Sequence, residues 1–153
     1  MKVYRIIKTK YVNDAWLGKG AAIAGGRWNS KDVAMVYASD SLALAQLEVL
    51  VHLQDSPHLT DFSYFVVDIP ESDLRRLEPQ DLPNDWDSEP SGMETRHIGD
   101  EWVQSESSIG LIVPSATSPE SYNVLLNPGM DRFKELVLDT QPTSFAFDKR
   151  LNR

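Results

Sequence analysis

Apolar and polar residues alternate weakly over Lys2–Lys8, where Val, Tyr and Ile dominate, and this period-two pattern predicts a first strand. Asn13 to Gly26 breaks the pattern with Gly18, Gly20, Ala21, Ala22 and Ala24. It predicts a flexible loop with one short helical turn. Val33 to Ala38 predicts a short buried strand. Ser39-Asp40-Ser41 then offers capping side chains ahead of Leu42 to Leu53, the best helical segment, with Leu44, Leu47, Leu50 and Val51 forming one apolar face. Phe62 to Ile69 predicts a strong strand, and Pro70-Glu71 the start of a short helix through Leu77. Glu78 to Gly92 carries Pro79, Pro83, Pro90 and many acidic residues, the composition of a surface loop. Thr95 to Ser107 predicts a helix. Strands follow at Ile109 to Val113, ended by Pro114, and at Tyr122 to Leu126, ended by Asn127-Pro128-Gly129. Phe133 to Asp139 and Thr143 to Asp148 predict the last two strands. Strands outnumber helices in an irregular order, with no repeat and no linker. The expectation is an α+β fold, a single compact domain over 1–153 with a mixed or antiparallel sheet core.

Composition narrows the class. The 153 residues suit one core, and 41% hydrophobic with 25% charged residues is ordinary for a globular protein. With no cysteine, neither a disulfide framework nor a thiolate metal site is available, which is compatible with a reducing cytosol. Met1 to Val12 holds Lys2, Arg5, Lys8 and Lys10 and no apolar run long enough for a signal-peptide core. No later segment is apolar enough to span a membrane, so the expected location is the cytoplasm. The net charge of -8 repels phosphate backbones and anionic lipid and favours a basic partner. One or two local arginines can still hold a small pyrophosphate.

The candidate chemistry lies in three ordered segments. Gly25-Gly26-Arg27-Trp28-Asn29 puts a guanidinium beside two glycines that remove side-chain obstruction, and a guanidinium binds phosphate oxygens in pairs. An arginine in a surface turn, stacked on Trp28, is the plainer alternative. Tyr37, at the end of the second strand, suits stacking on a base or bonding a sugar, or else the core. Glu48 lies at the edge of the helix's apolar face, beside Leu44 and Val51, where a carboxylate is partly desolvated and fixed in direction. Such a group stabilises a developing oxocarbenium ion or accepts from a ribose hydroxyl; a boundary Glu reaching water is the alternative. His52 follows one turn along the same side. Ser115 stands at a strand end after Pro114, placed to bond a ligand amide or phosphate or else to serve a turn, and Asn123 and Asn127 bracket a strand, where asparagine more often serves turns than ligands. Arg5, a charge among apolar residues, reads as a second phosphate contact or as half of an ion pair. No phosphate loop, dinucleotide fingerprint or HExxH occurs, His52, His58 and His97 have no metal-ligand spacing, and no nucleophile elbow supports a serine triad.

In order and spacing these segments resemble the RES-domain family, the toxin half of bacterial RES–Xre toxin–antitoxin pairs. The family's Arg, Glu and Ser match Arg27 in GGRWN, Glu48 in LEVLVH and Ser115 in VPSA. Tyr4-Arg5, Tyr37 in VYAS, Gly99-Asp100-Glu101-Trp102, Asn123 through Pro128 and the ending Phe145 to Leu151 extend the likeness over nearly the whole chain. One departure is Gly129-Met130-Asp131, where the family often has a histidine and proline after Asn-Pro. The resemblance implies a fold like the diphtheria-toxin type of ADP-ribosyltransferase and an enzyme that consumes NAD as substrate, with no resident cofactor or metal. By the same resemblance Arg27, Tyr37 and Glu48 are the catalytic residues. Arg27 would bind the phosphates or position the nicotinamide end, Tyr37 would orient the nicotinamide ribose, and Glu48 would stabilise the oxocarbenium-like transition state. Arg5, Trp28, His52, Ser115 and Asn123 complete the substrate-binding set.

Three functions are open at this point. The first is a toxin that cleaves the nicotinamide–ribose bond of NAD, with water or phosphate as acceptor. The second transfers ADP-ribose to a cellular protein. The third, of another class, is a non-catalytic binding module whose acidic surface meets a basic partner. The resemblance also implies a cognate Xre-type helix-turn-helix antitoxin that blocks the pocket, DNA contact only through that antitoxin, and an oligomeric toxin–antitoxin complex.

Overall fold

The computed structural model describes residues 1–53 and 59–151, so His58 and the last two residues lie outside it. Seven strands occur among the described residues: β1 (Lys2–Lys8), β2 (Val36–Ser39), β3 (Phe62–Asp68), β4 (Leu74–Arg76), β5 (Gly110–Pro114), β6 (Tyr122–Leu126) and β7 (Thr143–Phe145). They form one sheet in the order β4-β5-β6-β2-β1-β3-β7. Every neighbouring pair is antiparallel except β4–β5. The mixed sheet and the helices α1 (Lys19–Ala24), α2 (Leu42–His52), α3 (Met93–Ser105) and α4 (Asp131–Val137) make the α+β architecture that the sequence predicts.

The pairing is uneven, and that positions the site. β1 pairs with β3 over seven residues, and β2 pairs with β6 over all four of its residues. Between β1 and β2 the register holds at one pair only, Tyr4 and Ser39. The sheet is therefore two well-bonded halves that splay apart in the middle. Strand alternation sends Tyr4, Ile6, Tyr37, Ser39, Asn123 and Leu125 to one face. On that face α2 packs over the β1–β3 half, with Ile6, Ala45, Phe62 and Phe147 buried together. The other half buries Leu111, Val113 and Leu125 against Trp28 and the α3 residue Trp102. The opposite face buries Val3, Val36, Val67, Val124 and Leu126 beneath Phe133 and Val137 of α4.

Several local expectations are corrected. Phe133 to Asp139 is not a strand: Phe133 and Val137, four apart, share the buried side of α4 while Arg132, Lys134 and Glu135 face out. Pro70 to Leu77 is not one helix. A 3-10 turn at Glu71–Asp73 leads into β4, because Leu74, Arg75 and Arg76 find ladder partners along β5. The loop between β1 and Gly26 carries a 3-10 turn at Thr9–Asp14 besides α1, β2 starts three residues later than expected, and β7 stops at Phe145. The α2 cap is as expected, with Ser41 Oγ accepting the Leu44 amide at 3.1 Å. Its buried side is not. Leu44 and Ala45 are buried, whereas Leu47 and Val51 are 44% and 56% exposed. The helix rolls so that Leu42, Ala45 and Val49 meet β1 and β3.

Candidate active site

Glu48 reaches from α2 to the ends of β5 and β6. Its Oε1 accepts from the Ser115 hydroxyl and from Asn123 Nδ2, both at 2.7 Å, and its Oε2 accepts from the Thr117 hydroxyl at 3.2 Å. Ser115 is itself fixed, because its Oγ accepts the Thr117 and Ser118 amides at 3.1 Å each. Asn123 Oδ1 accepts from the Ser39 hydroxyl at 2.8 Å, across the β2–β6 ladder. Of the candidate residues named from the sequence, Glu48, Ser115 and Asn123 are thus brought into direct hydrogen-bond contact. All the donors are neutral, and among the described residues no lysine or arginine pairs with Glu48. The carboxylate is held in place without being neutralised.

Arg5 is its counterpart. Nε donates to Ala15 O at 2.6 Å and Nη1 to Tyr37 O at 2.9 Å, so the guanidinium sits in the splay between β1 and β2. Burial pulls its ionisation down to about 10. No carboxylate among the described residues pairs with it, so the ion-pair reading of Arg5 is not met. Its partners are two backbone carbonyls, which leave the positive charge uncompensated.

The third cluster surrounds Tyr37. Its hydroxyl donates to Asn29 Oδ1 at 2.6 Å and accepts the Trp28 amide at 3.2 Å. Burial pushes the phenol well above its ordinary range, with Asp100, Arg27 and Arg96 close enough to act on it. Gly26 is required here, because a Cβ at that position would lie 2.7 Å from the Tyr37 hydroxyl. Gly99 is required for packing, since a Cβ there would run into the Trp28 carbonyl. On the same helix Arg96 Nε donates to Gly26 O at 3.2 Å, and Asp100 accepts the Ser30 amide and hydroxyl at 2.9 and 2.6 Å. α3 thus holds the Gly26–Ser30 turn against β2.

Arg27 stands apart from Glu48. Its Nη1 donates to Trp86 O and Ser88 O, both at 2.8 Å, and its Nη2 to Glu89 at 3.2 Å. The guanidinium that the sequence offers as an open phosphate fork clamps the acidic 79–92 loop. Trp28 is corrected outright: it is 2% exposed within the core, so its ring is not available to a ligand, and only its amide serves the site. His52 is exposed in the last turn of α2 and joins none of these clusters.

Residue-type reasoning missed Asn29, Ser39, Thr117, Arg96 and Asp100 as site residues. Ser39 reads in sequence as a capping residue before α2, Asn29 and Asp100 enter only as members of the GGRWN and Gly99–Trp102 segments, and Thr117 and Arg96 carry no signal apart from their contacts. β2 links the clusters. Tyr37 and Ser39 lie two residues apart on one face, about 7 Å along a strand.

Comparison with known proteins identifies the family and the fold. The RES domain family model matches residues 2–148. The chain is 47% identical over 151 residues to a protein named "Toxin Res" from Yersinia enterocolitica, covering 99% of both. It is 44% identical over 122 residues to the "Prs ADP-ribosylating toxin" of Sphingobium sp., covering 77% of this chain and 75% of that one. In fold it resembles a chain in the crystal structure of the M. tuberculosis MbcT–MbcA toxin–antitoxin complex, with a TM-score of 0.70 and 20% identity, covering 95% of this chain and 84% of the other.

Proposed function

The chain belongs to the RES domain family, and from that premise we propose that it is the toxin of a bacterial toxin–antitoxin pair and that it destroys NAD by breaking the nicotinamide–ribose bond. The observation that carries the reading is the pair of uncompensated charges, Glu48 and Arg5, both tied to β2 at the splay of the sheet. A folded protein keeps such charges at a cost unless a ligand supplies the opposite ones. NAD supplies both. Its pyrophosphate is an anion for Arg5, and its ribose becomes cationic as nicotinamide leaves.

The chemistry needs little else. The C1′–N bond breaks with its electron pair going to the nicotinamide ring, which departs neutral and needs no proton. Positive charge develops over C1′ and the ring oxygen, and the Glu48 carboxylate, fixed in advance by Ser115 and Asn123, stabilises it. Water or phosphate then attacks C1′ and gives up a proton to solvent. In this reading the Tyr37 hydroxyl and Asn29 shape the nicotinamide-ribose end, and His52 is a rim contact. Arg27 meets a phosphate when Glu89 yields its place. No resident cofactor or metal is part of this reading.

An antitoxin of the Xre helix-turn-helix type would cover the splay, carry any DNA contact, and assemble with this chain in a larger complex. The likeness to a chain of a toxin–antitoxin complex supports the coarser part of this. Among the described residues no helix is long and apolar enough to cross a membrane, and the cytoplasm is the compartment where this activity has its substrate.

The decisive experiment is nicotinamide release from NAD by the purified chain, with and without phosphate, beside Glu48→Gln. Release that depends on Glu48 supports cleavage, and free ADP-ribose or its phosphorylated form names the acceptor. The second reading, ADP-ribosylation of a protein, is favoured by the name of the Sphingobium relative. Label transferred from NAD to a cellular protein would decide for it. A folded chain that does neither is the binding module.

A further inference from the structure

The two oxygens of Glu48 are not equivalent. Oε1 accepts two short bonds of 2.7 Å, and Oε2 accepts one bond of 3.2 Å, long for a hydroxyl donor. A second layer stands behind Oε1. Buried Ser39 donates to Asn123 Oδ1, and the amides of residues 117 and 118 occupy Ser115 Oγ so that its proton is left for Glu48. Thr117 Oγ1 has no bond among the described residues besides the one to Glu48.

We infer that Oε1 is the anchor of Glu48, that Oε2 is the oxygen presented to the sugar, and that Ser39 is the buried positioning residue that keeps the anchor in place. The inference rests on the reading of the chain as an enzyme that breaks a sugar–base bond. A sugar hydroxyl arriving at Oε2 displaces one long bond, whose half-buried donor can turn to water. Arrival at Oε1 would instead strand two donors, one of them the buried Ser115 hydroxyl. Ser39 touches neither Glu48 nor substrate. With its proton on Asn123 Oδ1, the amide presents Nδ2 to the carboxylate, and each bond polarises the next. Without that hydroxyl the amide loses its outer partner, and Glu48 spends less time aimed at the reacting carbon.

Two substitutions separate the two sides. With NAD as substrate, Ser39→Ala lowers kcat about five- to tenfold with KM little changed, the signature of a lost transition-state contact. Ser39→Thr, which restores the hydroxyl, recovers most of that loss. Thr117→Val acts on KM instead, lowering it about twofold because the sugar no longer displaces a bond. A second readout needs no turnover. The Asn123 side-chain amide, assigned by its loss in Asn123→Asp, is followed by proton–nitrogen NMR of the full chain. Its proton bonded to the carboxylate shifts upfield in Ser39→Ala and in Glu48→Gln but not in Thr117→Val. If the wild-type chain releases no nicotinamide, the NAD reading fails while the amide test still decides the anchor. A folded Ser39→Ala chain with wild-type kcat, or an amide unmoved by that change, overturns the anchor. Equal kcat losses in Ser39→Ala and Thr117→Val overturn the division between the oxygens.

Discussion

The Glu48 cluster and the Arg27 clamp are both polar and both centred on a charged residue that sequence reasoning marked as catalytic, yet they are built in opposite ways. Glu48 is gripped by three side-chain donors from the 115–117 turn and β6, all neutral, and keeps its charge for something else. Arg27 spends its guanidinium on two backbone carbonyls and on Glu89, a carboxylate of its own chain. The lesson is that a charged residue is poised for chemistry when its supports are uncharged. When its supports include its own counter-ion, its first duty is to hold the chain.

Removing each charge in turn tests this difference most strongly. Glu48→Gln keeps the shape and loses the charge. Nicotinamide release should fall about 10²- to 10³-fold, the usual cost of losing one preorganised electrostatic group, while the thermal midpoint moves little. Arg27→Ala should cost less activity, about tenfold in kcat/KM, and should loosen the 79–92 loop so that protease cuts there first. An Arg27→Ala chain with an intact loop and a loss as large as that of Glu48→Gln would break the comparison. Holding the substrate, and not the loop, would then be the first duty of Arg27.

The same contrast explains how far the sequence could be read. By type alone Glu48, Ser115 and Asn123 each read equally as a boundary or turn residue, and only the ordered family segments single them out. The Ser41 cap is legible because a hydroxyl ahead of an apolar helical run is a recognisable type at a recognisable element end. The grip on Arg27 is not, because carbonyls of residues 86 and 88 belong to every residue type and leave no mark in a sequence. Trp28 reads in the sequence as a ring for a ligand or as a surface on which Arg27 stacks, and only the packing of Trp102, Val113 and Leu125 around it shows that it is core. Short elements fail in the same manner. In α4, Phe133 and Val137 fit a helix, but seven residues of mixed character fit a strand equally well until β5, β6 and the rest of the sheet have taken their places. β4 is three residues long and exists only because β5 offers it a ladder.

A weaker effect sharpens the view of the clamp. Glu89 is 82% exposed, and a pair of that kind contributes little to stability. Its place on Nη2 is the one a substrate phosphate would take. Glu89→Gln should therefore lower the KM for NAD about two- to threefold at low salt, with the gain fading as salt screens the pair. A rise in KM would show that Glu89 helps to build the site instead of guarding it.

The smallest expected effect is on stability in alkali, where Tyr37 and Arg5 pull in opposite directions. The Tyr37 phenol ionises near 10 when unfolded and well above that when buried in the fold. The unfolded chain gives up this proton first. The contribution of Tyr37 is therefore fully present below pH 10 and falls above it by about 1.4 kcal/mol per pH unit until the folded phenol also ionises. Arg5 keeps its proton longer in the unfolded chain than in the fold, where it ionises at about 10, so its contribution rises with pH over the same range. Tyr37→Phe leaves the Arg5 effect in place and removes the phenol. At pH 8 it should cost about 1–2 kcal/mol for the bonds to Asn29 and the Trp28 amide. By pH 11 the gap to wild type should narrow or close, as read from urea midpoints at the two values. A gap that stays constant would mean that the phenol ionises alike in both states, and the hydroxyl that Gly26 and Asn29 enclose would have to be open to water.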